Sequence, residues 1–353
     1  MFGLAALVAT GITVLIVKLV LRGPPEVHHM SIVQQASNQP AVVRSRFGLY
    51  IPRDGDQKIQ LQNTMPQTVS TINGFAINPA YLDSNSGDTP VALQYLVPVR
   101  DASSTDPPAL TVPYQSTLKK FESTWIGEGV GGVDGSAKLV PDSSITIDGR
   151  ITNGTGKQLR NVYIAFKYPR FGTEDVYDDW VLYLPSWDAD VSLDLNREFN
   201  GPPNSKTVPI NVAGGSVPEN GKKLKGLISW WQDYWNSKVK AASGIGDGFI
   251  SDADQAVPRS IPMMSFYDRL APMKNQTDKP DRVEILRRGG RHLDRSAALA
   301  AGALVVIAQA DGPLPFPMTV EGDPVTGTGT TFYQYVLPLD RSAVEKPATQ
   351  PAN

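Results

Sequence analysis

Residues 144–166 show the clearest alternation of apolar and polar positions in the chain. Ile147 and Ile151 fall on one face of an extended segment, and the residues between them are mostly polar or charged. Alternation with a period of two predicts a strand with one buried face. Asn153-Gly154-Thr155-Gly156 then supplies turn residues, and apolar residues alternate again over residues 162–166. The pattern predicts a β-hairpin at the centre of a sandwich.

Similar patterns on both sides of this segment predict a mainly β protein. The predicted strands cover residues 47–50, 58–61, 68–72, 91–97, 116–126, 180–184, 191–195, 304–308, 318–320 and 331–337. The chain has 31 glycines and 29 prolines, which suits the many turns of such a fold. We therefore expect two sandwich-like (Ig-like) domains, the first over residues 23–130 and the second beginning with residues 131–215.

The pattern changes between residues 216 and 302. Leu224, Leu227, Ile228, Trp231 and Trp235 follow the spacing of one helical face. The β pattern then returns over residues 303–340, which contain too few strands to form a stable sheet alone. We predict that residues 216–302 are a helical insertion, that residues 303–340 complete the second sandwich, and that residues 341–353 are a disordered tail.

The N-terminal segment predicts a transmembrane helix over residues 1–22. From Phe2 to Leu21 the chain is almost wholly apolar, close to the roughly 20 residues that span a bilayer. Lys18 and Arg22 lie at its end, where long basic side chains reach the headgroups. A cleaved signal peptide is the alternative, but no basic residue precedes the apolar run and no small-residue cleavage site follows it. The two basic residues favour a cytoplasmic body.

Composition excludes several kinds of chemistry. The net charge is -2, without the basic excess that a nucleic-acid-binding protein would show. There is no cysteine, so disulfides, thiol catalysis and cysteine-ligated metals are excluded. The 3 histidines offer few options for acid–base or metal chemistry. We expect no cofactor, and no nucleic acid among the partners.

Three short motifs carry a resemblance to a known group of proteins. They are the strand-and-turn sequence from Gly149 to Val162, the segment Arg46-Phe-Gly-Leu-Tyr-Ile-Pro52, and Val112-Pro-Tyr-Gln-Ser116. Together they resemble the extracytoplasmic Ig-like β-sandwich region of poorly characterised bacterial membrane proteins. The resemblance implies an extracytoplasmic body, against the basic flank of the helix, and it transfers no catalytic residue. In that family the helix is often the last of several, so the chain could belong to a longer multi-pass protein.

Several candidate sites have a simpler structural interpretation. Gly127–Gly132 fits G-x-G-x-x-G, but no helix is predicted after it, so we expect a linker. The Asx-rich segment from Asp83 to Asp88 lacks the glutamate that ends a calcium loop. Arg287, Arg288, Arg291 and His292 have the acidic neighbours Asp281, Glu284 and Asp294, which favour local salt bridges over phosphate binding. His28 and His29 would point in opposite directions on an extended segment, so we expect a juxtamembrane linker and no metal.

Two aromatic-rich regions are candidates for binding. Trp180 and Trp187 lie among six aspartates that solvated edges would explain, although such residues also suit sugar binding or hydrolysis. The aspartates are Asp175, Asp178, Asp179, Asp188, Asp190 and Asp194. A second cluster, in the helical block, is flanked by lysines and suits either packing on the sandwich or contact with a membrane or partner. Its residues are Trp230, Trp231, Tyr234 and Trp235.

The sequence as a whole favours a non-enzymatic function. We expect a scaffold or protein-interaction module of the bacterial cell envelope, held in the cell membrane by a single helix. Its expected partners are membrane lipid and a membrane protein. One alternative is an envelope carbohydrate-binding protein or hydrolase that uses the loops rich in aspartate and tryptophan. Another is a subunit of a membrane transport or secretion assembly.

Overall fold

The computed structural model describes residues 25–51, 56–62, 70–74, 109–112, 119–140, 146–169, 176–200, 222–224, 226–227, 265–266, 268 and 291–344. In these residues the protein is mainly β and forms several sheets, as the sequence predicted. The predicted transmembrane helix lies outside them. Within the described ranges, no helix is both long and apolar enough to cross a membrane.

Seventeen strands and three short helices have defined bounds. The strands are β1 (Glu26–Ala36), β2 (Ala41–Tyr50), β3 (Gln57–Leu61), β4 (Thr71–Gly74), β5 (Ala109–Val112), β6 (Lys119–Gly127), β7 (Val133–Val140), β8 (Thr146–Asn153), β9 (Leu159–Pro169), β10 (Tyr177–Trp187), β11 (Ser192–Asp194), β12 (Lys222–Lys223), β13 (Leu304–Gly312), β14 (Met318–Val320), β15 (Asp323–Pro324), β16 (Thr326–Leu337) and β17 (Leu339–Asp340). The helices are α1 (Leu195–Asn200), a 3-10 turn (Arg291–Leu293) and α2 (Ser296–Ala300).

The chain divides into two compact units. Unit 1 takes its described residues from Met1–Gln34, Pro40–Val130 and Asp311–Phe332. Unit 2 takes them from Gln35–Gln39, Gly131–Ala310 and Tyr333–Asn353. Residues 311–332, which the sequence assigned to the second sandwich, therefore cluster with the first unit. Their short strands β14 and β15 pair in a sheet with β3, which the sequence placed in the first domain.

Unit 1 is built from two sheets. One has the strand order β1-β2-β6-β4, with the first half of β16 beside β1, and the other has the order β15-β14-β3-β5. Trp125 of β6 is fully buried. Its ring stacks on Phe316 with centroids 6.1 Å apart, and its Nε1 donates to the carbonyl of Gln62 at 2.8 Å. These contacts join residues of the two sheets on the apolar face of β6.

Glycines let β16 approach β1 closely in unit 1. A Cβ atom on Gly329 would lie 2.0 Å from the carbonyl oxygen of His29, and one on Gly327 would lie 2.0 Å from that of Val27. β16 therefore runs parallel to β1, because Gly327 lies beside Val27 and Gly329 lies beside His29. A side chain at either glycine would push these backbones apart.

Unit 2 also contains two sheets, with the orders β12-β10-β9-β13 and β11-β8-β7-β17. In the first, β13 pairs with β9 through Val305 with Ala165 and Val306 with Ile164. A strand that follows residues 216–302 is therefore hydrogen-bonded to a strand that precedes them. The second sheet includes β7. This strand was not predicted, because Gly135 and Ser136 interrupt its alternation of apolar and polar residues.

The predicted hairpin of residues 144–166 is wrong. β8 pairs with β7 and β11, whereas β9 pairs with β10 and β13 in the other sheet. The turn after β8 therefore carries the chain from one sheet to the other. The predicted alternation itself is confirmed, since Ile147 and Ile151 are buried and Arg150 is exposed.

The side chain of Asn153 explains why this turn crosses between sheets. Its Nδ2 donates to the carbonyls of Lys157 at 2.8 Å, Trp187 at 3.1 Å and Asp188 at 3.0 Å. Its Oδ1 accepts from the Thr155 backbone N–H at 3.1 Å and hydroxyl at 2.6 Å. Asn153 is fully buried, so these bonds replace the ladder bonds that a tight hairpin would provide.

Candidate functional site

The sheet of unit 1 has a solvent-facing side that we call the open face. In the first half of β1, buried side chains alternate with exposed ones, and the exposed ones there are Glu26, His28 and Met30. Neighbouring strands continue the same face in register. It consists of Glu26, His28, Met30 and Ile32 on β1, Arg44, Arg46, Gly48 and Tyr50 on β2, and Lys120, Glu122 and Thr124 on β6.

Apolar groups on the open face are unusually exposed. The side chain of Met30 is 58% exposed and that of Tyr50 is 44% exposed. Between them on β2 lies Gly48, which pairs with His28 and Lys120 and brings no side chain to the surface. A flexible thioether and an aromatic ring beside a glycine are groups that binding surfaces commonly use.

Charged groups on the open face are organised across the strands. Arg46 lies opposite Met30 on one side and Glu122 on the other, and Arg46 Nη2 is 3.7 Å from the Glu122 carboxylate. Both side chains are about half exposed or more, so this ion pair adds little to stability. Arg44 donates to the side-chain oxygen of Gln34 at 2.6 Å. These contacts hold the arginines over the sheet and leave the face mixed in charge.

A chain of hydrogen bonds lies on the opposite, buried side of the same strands. His29 Nε2 donates to the carbonyl of Gly312 at 3.1 Å, so Nδ1 is the acceptor and takes a bond from the Ser31 hydroxyl at 2.9 Å. Ser31 in turn accepts from Ser45 at 2.6 Å. All three side chains are buried, so the imidazole and hydroxyls act in packing and not on a substrate from solvent.

The two adjacent histidines do point to opposite faces, as the sequence predicted. The expectation of a juxtamembrane linker is wrong, because both lie in β1. The alternation of Val27, His29, Ser31 and Val33 carries polar side chains at two inward positions, and this hides the period of two. Burial of these polar groups is tolerated because they bond one another.

The described aspartates of the Asp/Trp-rich region do not form one shared group of carboxylates. Asp178 and Asp179 are consecutive in β10 and so lie on opposite faces. The Asp188 carboxylate accepts from Gln158 at 2.6 Å, and that of Asp194 accepts from the Arg197 backbone N–H at 3.1 Å at the start of α1. Asp190 sits in a turn with φ 58°. Asp175 lies outside the described residues.

The tryptophans of that region have packing roles. Trp187 is 2% exposed, and its Nε1 donates to the carbonyl of Val191 at 2.8 Å. Trp180 is half-buried and meets Phe199 of α1 edge-on at 6.4 Å. Trp187 is therefore not available as a platform on which a sugar ring could stack.

The glycine-rich segment from Gly127 to Gly132 joins two strands. It leaves β6 and enters β7, so the helix that a dinucleotide would need at its pyrophosphate does not follow. Gly131 has φ 74°, and a Cβ there would lie 2.7 Å from the Gly154 carbonyl oxygen. These glycines allow the close approach of the two connections in unit 2.

The remaining sequence candidates are only partly described. Trp230, Trp231, Tyr234 and Trp235 lie outside the described residues, as do Asp83–Asp88, Arg287 and Arg288. Asp294, expected to neutralise the basic cluster, instead accepts from the backbone N–H groups of Ser296 at 2.8 Å and Asp268 at 2.9 Å. In the described part of the chain, no group of three or more histidine or acidic side chains could hold a metal ion.

Comparison with known proteins adds one distant structural likeness. No protein-family model matches the chain, and no curated protein matches it. Among solved structures, the zebrafish (Danio rerio) Fcho1 Mu homology domain with bound Eps15 peptide aligns over 90% of this chain and 99% of that one, with 9% sequence identity and a TM-score of 0.32. A TM-score of this size does not establish a common fold.

Proposed function

We propose that this protein is a membrane-anchored scaffold or protein-interaction module of the bacterial cell envelope, without catalytic activity. Residues 1–22 hold it in the cell membrane as a single helix, and its main body is extracytoplasmic. The partners are membrane lipid and a membrane protein.

The observation that carries this proposal is the exposure of Met30 on the open face. A 58% exposed methionine in a regular strand contributes little to folding, because its neighbours Val27 and Val33 supply the buried face of β1. Large apolar side chains on an ordered surface mark interaction sites when polar groups surround them. Arg46 and Glu122 provide such groups on the adjacent strands.

Strand β1 also supports a binding role over a catalytic one. The imidazole of His29 and the hydroxyls of Ser31 and Ser45 are buried and bonded to one another. The open face offers instead the exposed thioether of Met30 and the paired charges of Arg46 and Glu122, which suit contact with another protein surface.

Site-specific photo-crosslinking in the native membrane tests the proposal. A photoreactive residue replaces Met30 in the full chain, and a matched control replaces Arg150, which is exposed on β8 of unit 2. We expect a discrete protein adduct from position 30 that is lost when Arg46→Glu reverses the charge beside it. The same pattern of adducts from positions 30 and 150 would contradict a specific interface on the open face.

A further inference from the structure

The sheet of unit 1 fixes the position of Pro25. This residue is buried, and its carbonyl oxygen accepts from the backbone N–H of Thr326 at 3.2 Å and the Thr326 hydroxyl at 3.4 Å. Strand β1 begins at the next residue. Pro25 is therefore part of the sheet and does not belong to a free linker.

The distance from Pro25 to the apolar N-terminal segment is short. Only Gly23 and Pro24 separate it from Arg22, and three residues span at most about 11 Å. The headgroup layer on each side of a bilayer is about 5–8 Å thick. If residues 1–22 span the membrane, as the proposed function requires, Pro25 must lie at the membrane surface.

Several strands end beside Pro25. Glu26 pairs with Tyr50 at the end of β2, and Leu49 pairs with Lys119 at the start of β6. Because neighbouring strands are about 4.8 Å apart, the ends of β2 and β6 lie roughly 5 and 10 Å from that of β1. We call this edge of unit 1, formed by Pro25, Glu26, Tyr50 and Lys120, the Pro25 end.

The chemistry of the Pro25 end suits a lipid surface. Tyr50 is 44% exposed and Lys120 is also exposed. Tyrosine is enriched at membrane–water interfaces, and lysines are attracted to anionic headgroups. Glu26 is exposed at the same end and opposes that attraction.

We propose that the Pro25 end of unit 1 docks on the headgroup layer of the bilayer that holds residues 1–22, with Tyr50 and Lys120 in contact with lipid. This inference rests on the membrane attachment in the proposed function. It adds which surface of the body faces the membrane, and it holds for either side of the bilayer.

Fluorescence quenching by lipid tests this orientation. The chain has no cysteine, so Tyr50→Cys gives a single labelling site at the Pro25 end. The matched control is Glu128→Cys, an exposed residue just after β6, which lies about 30 Å from the Pro25 end along the strand. Each full-length, labelled protein is reconstituted into anionic vesicles that contain a headgroup-spin-labelled lipid.

We expect the label at position 50 to be quenched severalfold more than the label at position 128. Adding Lys120→Glu should reduce the quenching at position 50 in anionic vesicles and leave it unchanged in zwitterionic ones. Both positions are exposed, so the substitutions leave the core intact. Equal quenching at the two positions, or stronger quenching at 128, would overturn the docking orientation.

Vesicle flotation separates the two proposals. A protein that floats with the vesicles but shows equal quenching retains its membrane attachment and lacks the proposed orientation. A protein that does not float refutes the attachment and the docking inference together.

Discussion

The two units use their main sheets differently. In unit 1, β1 alternates between buried and exposed side chains, so one face of the sheet is in solvent. In unit 2, every residue from Leu304 to Ala310 in β13 is buried, and so is every residue from Val162 to Phe166 in β9. The unit 2 sheet is therefore covered on both faces, whereas that of unit 1 presents a face on which another molecule can bind.

The covering layers of unit 2 come from identifiable parts of the chain. Tyr168 of β9 donates to the carbonyl of Val140 in β7 at 2.6 Å, which links one face to the second sheet. Within residues 216–302, Leu224, Leu227, Phe266 and Leu299 are buried in the same unit. In the described part of unit 1, by contrast, Met30 and Tyr50 of the open face stay exposed.

The largest expected effect is that of Asn153→Asp in unit 2. A carboxylate cannot donate to the three carbonyls that the Asn153 amide now bonds, and it would place a buried negative charge against them. Each unpaired carbonyl costs about 1–3 kcal/mol, so the total approaches the whole stability of a typical domain. Hydrogen exchange should show that β8, β9 and β10 lose protection.

A matched control for this variant is Asn38→Asp. Asn38 is exposed in the turn after β1 with φ 59°, a conformation that aspartate tolerates. We expect a change within about 0.5 kcal/mol. If Asn153→Asp were equally mild, the hydrogen bonds of the Asn153 side chain could not be what stabilises the turn between the two sheets.

The second prediction compares consecutive positions in the two units. Val305→Ala and Val306→Ala should each cost about 1.5–3 kcal/mol, because both side chains are buried and each loses transfer free energy and leaves a cavity. In β1, Val33→Ala should cost a similar amount, and Ile32→Ala clearly less, since Ile32 is only half-buried. Chemical denaturation measures the free energy of unfolding of all four variants. Clearly different losses in Val305→Ala and Val306→Ala would contradict the burial of both faces of the unit 2 sheet.

The sequence predicted these differences in part. The apolar run from Leu304 to Ala308 and the alternation around Ile147 both indicated strands, since burial on one or two faces leaves a direct trace in hydrophobicity. Sheet membership was harder to predict, because Asn153-Gly154 suits a hairpin as well as a crossing between sheets. The five hydrogen bonds of Asn153 depend on Trp187 and Asp188, and no local pattern connects those residues to the turn.

The open face was not predicted for a related reason. His29 and Ser31 occupy inward positions, so the polarity of β1 gives no sign of which side is buried. Only the bonds from His29 to Ser31 and from Ser31 to Ser45 show how polar groups are accommodated there. Met30, in contrast, has an ordinary apolar side chain in the sequence, and only the structure shows its exposure.

The third prediction concerns alkaline pH. Burial, followed by the nearby Tyr333 and Asp134, raises the pKa of Tyr335 well above its ordinary value. The folded protein therefore keeps this phenol protonated where the unfolded chain ionises. Stability should be intact below about pH 10 and fall above it by up to about 1.4 kcal/mol per pH unit. Tyr335→Phe should remove this contribution in denaturation curves recorded between neutral and alkaline pH.

At neutral pH, Tyr335→Phe should have nearly the same free energy of unfolding as the unchanged protein. The Tyr335 hydroxyl donates to the carbonyl of Gly131 over a long 3.4 Å, so its loss removes a weak bond. An unchanged alkaline slope in Tyr335→Phe would show that other groups set the pH dependence, and that the covered face of unit 2 does not protect this phenol.

The smallest expected effect on stability lies on the open face. Met30→Lys should change the free energy of unfolding by no more than about 0.5 kcal/mol, because a side chain that is 58% exposed loses little packing and the lysine is solvated. Val33→Lys is the control on the buried side of the same strand, and it should prevent folding because it buries an unpaired charge.

The proposed interface adds a second readout, since Met30→Lys places a positive charge beside Arg46, its partner in the strand pairing. We therefore expect a folded protein with normal denaturation that no longer forms the partner complex. A variant that is strongly destabilised would instead mean that Met30 is covered within the folded chain, and the contrast between an open sheet in unit 1 and a covered sheet in unit 2 would fail.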